Sequence, residues 1–404
     1  MIMNIANKTV LHECTSCQMC AAVCPKDAIS IHLNEDGFYR PSVDENRCVD
    51  CNLCVKVCYK YDDHLNLSSA ADLNKTRLYA AWAKSDTLVK HTTSGGIGDL
   101  LARELINEDY KIVGVVYSDD KVRAEHRIAQ TLEETVPFRG SKYIQSYTMD
   151  ALKEVVSHVK TDKYAVFGTP CQIYALARWA ERRNFRDHLF FVDLYCHGCP
   201  SLHVWTKYQQ HIKEKLGLTH FDKVEFRSKI KGWGNFYVVV VDDHPVFVSS
   251  PKDDGFYELF FSDQVLNDAC KDCQLRSTLA YTDIRLGDFW GKKYLDNHRG
   301  VSAVSLVTDQ AKTVFSRIEK DIDSQASDYA DFLPYQSWGK SYQSRLDARK
   351  AILSSLAKPN DTIFDAVRAF RKHQSIKGQA MRMLKNVLYY CPQEVTTILK
   401  KIRP

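Results

Sequence analysis

The chain has 404 residues, 45% hydrophobic and 26% charged, so it is long enough for more than one domain and apolar enough for a packed core. Its start lacks the basic residues and apolar core of a signal peptide, and no run approaches the roughly 18 uncharged apolar residues of a membrane helix. The net charge is +5, but residues 371–404 alone hold eight Lys or Arg and one Glu. This distribution argues against a nucleic-acid surface and indicates one basic tail. We therefore expect a cytoplasmic protein with no nucleic-acid partner.

Eight of the fourteen cysteines lie in two runs with the same spacing. Three thiolates on one loop can hold three irons of a cubane cluster, so the fourth ligand of each cluster must come from the other run. A zinc site or a disulfide framework is the alternative, but zinc sites favour paired C-x2-C knuckles. The spacing therefore predicts two [4Fe-4S] clusters, the first bound by Cys14, Cys17, Cys20 and Cys58, and the second by Cys48, Cys51, Cys54 and Cys24.

The two runs resemble bacterial two-cluster ferredoxins over about residues 9–62. Cluster ligands must be free thiolates, which a reducing interior maintains, and this also favours the cytoplasm. We predict a ferredoxin-like domain over residues 1–66. A linker of small and polar residues follows over 67–77.

From residue 78 the pattern alternates between strands and helices, which favours an α/β layer architecture. Short β-type runs after residue 224 predict an antiparallel portion, and mostly helices are expected beyond residue 327. The predicted fold is α/β (α+β), with a mixed domain over 78–325 and a helical, basic C-terminal region over 326–404. Strands are predicted over 78–83, 111–117, 164–167, 188–195 and 301–308, and helices over 97–106, 152–159, 171–183, 202–216 and 310–320.

Five further cysteines lie in the large predicted domain, in the segments 168–172, 196–201 and 270–273. Together with segments 94–96, 140–146 and 283–290, they resemble the beta-subunit family of coenzyme F420 hydrogenases and dehydrogenases. The resemblance runs from about residue 78 to about residue 308. It implies a flavoenzyme module, in which FAD lies beside a [4Fe-4S] cluster.

Four of these cysteines are candidates for a third [4Fe-4S] cluster. Cys171 and Cys196 come where a predicted strand ends or a helix begins, and loops at strand ends are where α/β folds assemble their sites. Cys199 is a bystander or a substitute ligand. The alternative for any single cysteine is burial as a small apolar side chain. With the resemblance, the predicted ligands are Cys171, Cys196, Cys270 and Cys273.

The resemblance also implies a set of flavin-binding residues. Glycines ahead of a helix let backbone N–H groups approach a phosphate, while lysine and serine side chains add charge and a hydroxyl. The alternative is an ordinary loop or a solvated turn. His197 is the candidate proton donor, since histidine titrates near neutrality, although it could equally serve the structure alone. The predicted FAD-binding residues are Ser94, Gly95, Gly96, Lys142, Tyr143, Ser146, Thr169, Gln172, Arg227 and Lys229.

The main functional prediction is an iron–sulfur flavoprotein oxidoreductase. It would pass electrons from a donor such as ferredoxin or a reductase, through the clusters and FAD, to a small organic substrate. By analogy alone, that substrate is a sugar or nucleotide-sugar of surface polysaccharide biosynthesis. The alternative is an electron-relay beta subunit of a hydrogenase or dehydrogenase complex that reduces coenzyme F420. A structural or regulatory iron–sulfur protein is a third option.

The basic tail supports a further prediction about partners. Apolar and basic residues alternate there, as on helices that lie on an anionic bilayer surface. Peripheral membrane contact is therefore expected through residues such as Leu384 and Leu388 with Arg382 and Lys400. Packing of this helix on its own protein or on a second subunit is the alternative, and a homo-oligomer is left open.

Overall fold

The structure is a computed structural model that describes residues 4–6, 13–58, 60–61, 73–250, 254–389 and 391. Most of the predicted linker lies outside these residues. The cysteine-rich region contains one antiparallel pair of strands and two one-turn helices, each of which carries a cysteine of one run. These elements are β1 (Ile29–Leu33) and β2 (Tyr39–Val43) with α1 (Met19–Ala22) and α2 (Leu53–Lys56).

The remaining strands belong to two further sheets. In chain order they are β3 (Arg77–Ala83), β4 (Tyr110–Ser118), β5 (Arg123–Ala129), β6 (Ser146–Tyr147), β7 (Lys163–Phe167), β8 (Leu189–Leu194), β9 (Lys223–Glu225), β10 (Val239–Asp242), β11 (His244–Val248), β12 (Ile284–Asp288), β13 (Ser302–Leu306) and β14 (Ile322–Ser327).

The larger of these sheets has nine strands in the order β14-β3-β13-β12-β8-β7-β4-β5-β6. Strands β12, β8, β7 and β4 are parallel to one another, so their carboxyl ends lie along one edge. The smaller sheet is antiparallel, in the order β11-β10-β9. The predictions of a mixed α/β architecture and of an antiparallel portion after residue 224 are confirmed.

Helices connect and cover these strands. In chain order they are α3 (Asp86–Lys90), α4 (Ile97–Asn107), α5 (Leu132–Thr135), α6 (Met149–His158), α7 (Pro170–Arg182), α8 (Leu202–Leu216), α9 (Gly255–Phe260), α10 (Asp309–Ile318), α11 (Tyr329–Phe332), α12 (Leu346–Ala357), α13 (Ile363–Lys372) and α14 (Ile376–Tyr389).

The central sheet is packed on both faces, as expected for strands rich in Val, Ile and Phe. Helices α4 and α10 cover one face, where Leu101 and Phe315 join the core. Helices α6 and α7 cover the other, through Val155 and Ile173. Helix α7 begins with Pro170 behind a Thr–Gln capping box, two features that fix a helix start. This start places the next residue, a cysteine, at the carboxyl edge of the sheet.

The C-terminal region is helical, as predicted. Helices α12 and α13 pack with α8 and α9 around an aromatic core that includes Trp205 and Phe256. Helix α14 exposes several apolar side chains, among them Ile376 at 87% and Val387 at 63%. Within the described residues, no helix is long and apolar enough to span a bilayer. Residues 392–404 of the predicted membrane-contacting tail lie outside the described part of the chain, so this contact stays a prediction.

The cysteine-rich region is fixed to the large domain by buried hydrogen bonds. The side-chain oxygen of Gln18 accepts from the backbone N–H groups of Thr148 and Met149, both at 2.9 Å, at the start of α6. The Thr148 hydroxyl donates to the Cys17 carbonyl at 2.8 Å. Met19 packs against the apolar side chains of α6 and α7. The first cysteine run is therefore held at a defined position against the central sheet.

Candidate iron–sulfur site

The two cysteine runs have the same backbone conformation. Ser16 and Gln18 in the first loop have φ values of 64° and 63°, and Asp50 and Asn52 occupy the equivalent positions of the second with 51° and 59°. Non-glycine residues rarely adopt this left-handed conformation. Its alternation along a loop turns successive N–H groups inward and creates an anion-binding concavity that many iron–sulfur sites use. Both loops therefore fit a cluster whose thiolate ligands make it anionic.

The second thiol set, Cys48, Cys51, Cys54 and Cys24, surrounds a single open cavity. The cavity measures about 380 Å³, including the space that is open to solvent, and all four cysteines line it. Burial raises the pKa of Cys54, and the neighbouring thiols of Cys51 and Cys24 raise it further. The structure thus brings Cys24 from the first run to the three cysteines of the second, as the crossed-ligand prediction requires.

The first thiol set, Cys14, Cys17, Cys20 and Cys58, is deeper in the protein. Burial raises the pKa of Cys20 well above its usual value, and the nearby thiols of Cys17, Cys14 and Cys58 raise it further. Burial likewise raises the pKa of Cys58 to about 12, with Cys17 and Cys14 contributing. Cys58 of the second run therefore lies among the cysteines of the first.

Such crowded, buried thiols favour a cationic metal core. In the absence of metal these thiols keep their protons. Iron would bind in place of the protons and supply the positive charge that stabilises the thiolates. No three His, Cys, Asp or Glu side chains in the described part of the chain converge on one point as ligands of a single ion would. Around the second set the thiols instead enclose a volume. The donor set and its arrangement fit a cubane, and the assignment of the individual ligands stays a prediction.

The third thiol set consists of all five remaining cysteines of the large domain. Burial raises the pKa of Cys171 well above its usual value, and the thiols of Cys17, Cys273 and Cys196 raise it further. The pKa of Cys199 is raised by burial and by Cys270 in the same way. The four predicted ligands therefore converge with Cys199, and one of their neighbours is Cys17 of the first set. The third set consists of Cys171, Cys196, Cys199, Cys270 and Cys273.

Close backbone packing and one arginine hold the loops of the third set. A Cβ atom on Gly198 would come within 2.8 Å of a methyl group of Leu266, so a larger residue here would displace that side chain. The Cys199 N–H donates to the Cys270 sulfur at 3.4 Å. The buried guanidinium of Arg276 donates to the His197 carbonyl at 3.1 Å and to the carbonyl of Cys270. Arg276 thus ties the loop after β8 to the loop that precedes β12.

The predicted flavin-binding residues lie in two places, the first of which is the loop before α4. Ser94 donates its hydroxyl to Val301 at 2.9 Å, and the Gly95 N–H donates to Ser302 at 2.9 Å. A Cβ atom on Gly95 would lie 2.4 Å from the carbonyl of Ala81. The structure therefore gives Gly95 a packing role against β3 and β13, while Gly96, at φ +84°, leads into α4.

Two lysines that were predicted to bind FAD have a pKa well below the usual value for lysine. Burial lowers the pKa of Lys142 to about 7, with Lys223 contributing, although its ammonium contacts three carbonyls between Pro137 and Arg139 at 2.9–3.1 Å. Burial also lowers the pKa of Lys229 to about 7. The Lys229 ammonium donates to the Ser94 carbonyl at 2.5 Å. An anion beside either ammonium would favour its charged form.

Arg227 and Tyr143 belong to a buried network beside this place. The Arg227 guanidinium is 1% exposed and pairs with the Asp288 carboxylate. It also donates to the Tyr143 hydroxyl at 3.4 Å, and lies 4.5 Å from the ring centre of Phe236 and 4.8 Å from that of Trp290. These contacts satisfy Arg227 largely from within the protein.

Thr169, Gln172 and Ser146 form the second place, next to the third thiol set. The Thr169 N–H donates to the Gln172 side chain at 2.9 Å, and the Gln172 amide donates to the Ser146 hydroxyl at 3.0 Å. The Thr169 hydroxyl lies 3.2 Å from the Cys171 sulfur. The Gln18 amide donates to the Ser146 carbonyl at 3.4 Å. A flavin-binding role for these residues stays a prediction, and their contacts place them where the two domains meet.

His197, the predicted proton donor, is already part of a hydrogen-bonded group. Its Nε2 lies 2.8 Å from Asp263 and its Nδ1 2.9 Å from the Tyr342 hydroxyl. The ring packs 5.3 Å from Phe260. Asp263 and Tyr342 were not predicted from the sequence, because no local pattern links them to His197. The role of His197 stays a prediction, for which Asp263 and Tyr342 would set the ring orientation.

The fold and the thiol sets define an iron–sulfur protein, in which a dicluster domain is docked on an α/β domain. Two family models identify these parts. Residues 13–60 match the 4Fe-4S dicluster domain, and residues 161–331 match the C terminus of the coenzyme F420 hydrogenase/dehydrogenase beta subunit. The chain thus carries a 4Fe-4S dicluster domain and a region that matches the C terminus of the coenzyme F420 hydrogenase/dehydrogenase beta subunit. Both resemblances predicted from the sequence are confirmed.

Three known proteins are similar to parts of the chain. One subunit of the F(420)H(2) dehydrogenase of Methanosarcina mazei is 24% identical over 319 residues, which cover 75% of this chain and 85% of that protein. An uncharacterized protein of Methanocaldococcus jannaschii is 27% identical over 41% of this chain, and the match spans only about half of its length, 52%. A chain of the F420-reducing [NiFe] hydrogenase complex of Methanosarcina barkeri has a TM-score of 0.45 and 18% identity, covering 74% of this chain and 94% of that one.

These similarities favour the alternative over the main functional prediction. One matched family model and the Methanosarcina mazei relative are named for coenzyme F420, and the other family model is named for 4Fe-4S clusters. None of the three names mentions a sugar or FAD. An oxidoreductase with [4Fe-4S] clusters is therefore supported. The predicted FAD dependence and the role in polysaccharide biosynthesis have no such support.

Proposed function

We propose that this protein is an electron-relay subunit of a coenzyme F420 hydrogenase or dehydrogenase complex. Its task is to pass single electrons through three [4Fe-4S] clusters, one at each thiol set. The observation that carries the proposal is the proximity of the first and third sets: the Asn267 side chain, three residues before Cys270, donates to the Cys14 carbonyl at 3.0 Å, and Cys17 is among the thiols that raise the pKa of Cys171. Two clusters whose ligands lie next to each other can exchange an electron without a large movement of the protein.

The exposure of the three sets suggests where a partner protein binds. In the second set Cys51 is exposed, and its neighbour Val49 is 55% exposed. In the first set Cys20 is buried. We infer that the second cluster exchanges electrons with a partner, such as a ferredoxin or another subunit, and that the first cluster connects it to the third. The direction of flow depends on the redox partner at each end.

We propose that a flavin is held near the third set, as the family resemblance implies. Reduction of coenzyme F420 takes two electrons and two protons, delivered as a hydride and a proton, whereas each cluster passes one electron, and FAD would supply that conversion. Lys142 and Lys229 would offer positive charge to its phosphates. Extraction of the anaerobically purified protein should then release FAD, and protein that neither holds nor binds FAD would remove this part of the proposal.

The relay can be tested with reduced coenzyme F420 as the electron donor. Added to the anaerobic, oxidised full-length protein, it should bleach the visible absorbance of the clusters. Cys171→Ala should retain the clusters of the dicluster domain but leave them oxidised, because the third cluster no longer connects them to the donor. Cys391→Ala, which removes a cysteine outside all three sets, serves as the matched control and should behave like the unaltered protein.

A different pattern of reduction would contradict the proposed relay. If dithionite bleaches all clusters of the unaltered protein but reduced coenzyme F420 does not, this protein is not a relay for that coenzyme. Reoxidation of the dithionite-reduced protein by a specific small organic molecule would then favour the main function predicted from the sequence.

A further inference from the structure

Asn267 occupies a position that neither the cysteine motifs nor the family resemblance single out. It has no exposed surface and lies three residues before Cys270. Its backbone N–H donates to the Cys199 carbonyl at 2.8 Å, and its carbonyl accepts from the Cys270 N–H at 2.8 Å. The Asn267 backbone therefore connects two loops of the third thiol set.

The side chain of the same residue reaches the first thiol set. The Asn267 amide nitrogen donates to the Cys14 carbonyl at 3.0 Å and to the Ser16 hydroxyl at 3.2 Å. Its oxygen accepts from Arg40 at 3.3 Å and from the Ala269 N–H at 3.3 Å. These bonds satisfy both polar atoms of the buried amide, and because they join the two thiol sets, Asn267 is placed to fix one cysteine loop against the other.

Arg40 adds a buried cation at this junction. Its guanidinium is enclosed, with the residue 8% exposed, and it donates to the Ser16 hydroxyl at 3.0 Å and to the Tyr39 carbonyl at 2.9 Å. Cys14 and Cys199, one from each thiol set, are both among the groups whose charges act on Arg40, together with the carboxylates of Asp268 and Asp36. A cubane with thiolate ligands is anionic and becomes more so on reduction. A cation between two such clusters therefore favours the reduced form of both.

We propose that Asn267 and Arg40 are positioning residues that connect the first and third clusters, with Asn267 holding the two loops together and Arg40 supplying positive charge between them. The inference rests on the proposed function, because it needs a cluster at each set. In the step concerned, one electron leaves the iron of one cluster and enters the other, and no bond is made or broken.

The first test concerns the magnetic interaction between the two clusters, observed by electron paramagnetic resonance of the fully reduced, full-length protein. Asn267→Ala should retain all three clusters but lose part of the spin–spin broadening, because the loops are no longer fixed. Gln145→Leu is the matched control. Gln145 is also a buried amide that bridges the domains, bonding to Gly37 at 2.8 Å and to Pro200 at 3.1 Å, but it bonds to no cysteine.

A second variant keeps the test valid if the Asn267→Ala protein folds poorly. Asn267→Asp keeps the acceptor for Arg40 and Ala269 but cannot donate to the Cys14 carbonyl, and it should show the same loss of broadening. Unchanged broadening in either variant, with three clusters present, overturns the role of Asn267. An unaltered protein that holds only the two dicluster-domain clusters would instead overturn the proposed function, so the two failures are distinguishable.

The second test concerns the midpoint potentials of the clusters. Arg40→Gln removes the buried charge and should lower the potentials of the first and third clusters, since their reduced forms lose a stabilising cation. The charges that act most on Arg40 include none from the cysteines of the second set, so the second cluster is the internal control, with no shift expected. Equal shifts of all three potentials, or none, would show that Arg40 does not act between these two clusters.

Discussion

Replacing Arg285 by leucine is expected to lower the free energy of unfolding by about 3–5 kcal/mol, the usual cost of leaving one partner of a buried ion pair uncompensated. Arg285 on β12 bonds to Asp193 on β8 through two nitrogens, at 2.8 and 2.5 Å. Both side chains are 3% exposed. Burial lowers the pKa of Arg285, but the attraction of Asp193 outweighs it and the net shift is upward. Urea unfolding followed by circular dichroism measures the effect.

A double variant provides the control for this prediction. Leucine at both Asp193 and Arg285 removes the pair together, and such apolar replacements are often neutral or stabilising. We therefore expect the double variant to recover most of the lost stability. A single Arg285→Leu variant that unfolds at the same urea concentration as the unaltered protein would contradict the prediction. Because β8 leads directly to Cys196, iron at the third set should fall in the single variant as well.

Crossed ligation of the first two clusters should appear in the iron content of double variants. Cys24→Ala should cost about four irons, one cubane. Adding Cys51→Ala should cost no more, because Cys51 lines the same cavity as Cys24. Adding Cys17→Ala instead should cost about eight irons in total, since Cys17 belongs to the other cluster. The reverse pattern, with Cys24 and Cys17 behaving as one group, would show that each run binds its own cluster. Iron analysis of anaerobically purified variants gives the answer.

Much of the fold could be predicted from local patterns because most of its elements are locally amphipathic or continuously apolar. Helix α8 begins and ends at Leu202 and Leu216 as the periodicity predicted. Strands β5 and β12 were not predicted, since charged residues interrupt them. In β5 the buried carboxylate of Glu125 is paired with Lys121, Arg123 and Arg127. In β12 the interruption is Arg285, whose partner lies about ninety residues earlier in the chain. Such ion pairs cannot be found from the sequence before it is known which strands lie side by side.

In the candidate site, as in the fold, features set by residues close together in the chain were predicted, and features that join distant residues were not. The spacing within the first two cysteine runs predicted two groups of thiols, and the structure brings Cys24 to the cysteines of the second run; the assignment of the individual ligands stays a prediction. The third set required the fold, which brings the loops after β7 and β8 to the segment before β12. Asn267, Arg40 and Gln18 could not be found from the sequence, because each acts by joining residues of the dicluster domain to residues that lie more than 100 positions away.

Whether three clusters, and not two, lie in one chain can be read from the iron and acid-labile sulfide content of the anaerobically purified full-length protein. We expect about 12 irons and about 12 sulfides per chain, four of each for every cubane. About eight of each, with the five cysteines of the third set open to alkylation in the folded protein, would contradict it.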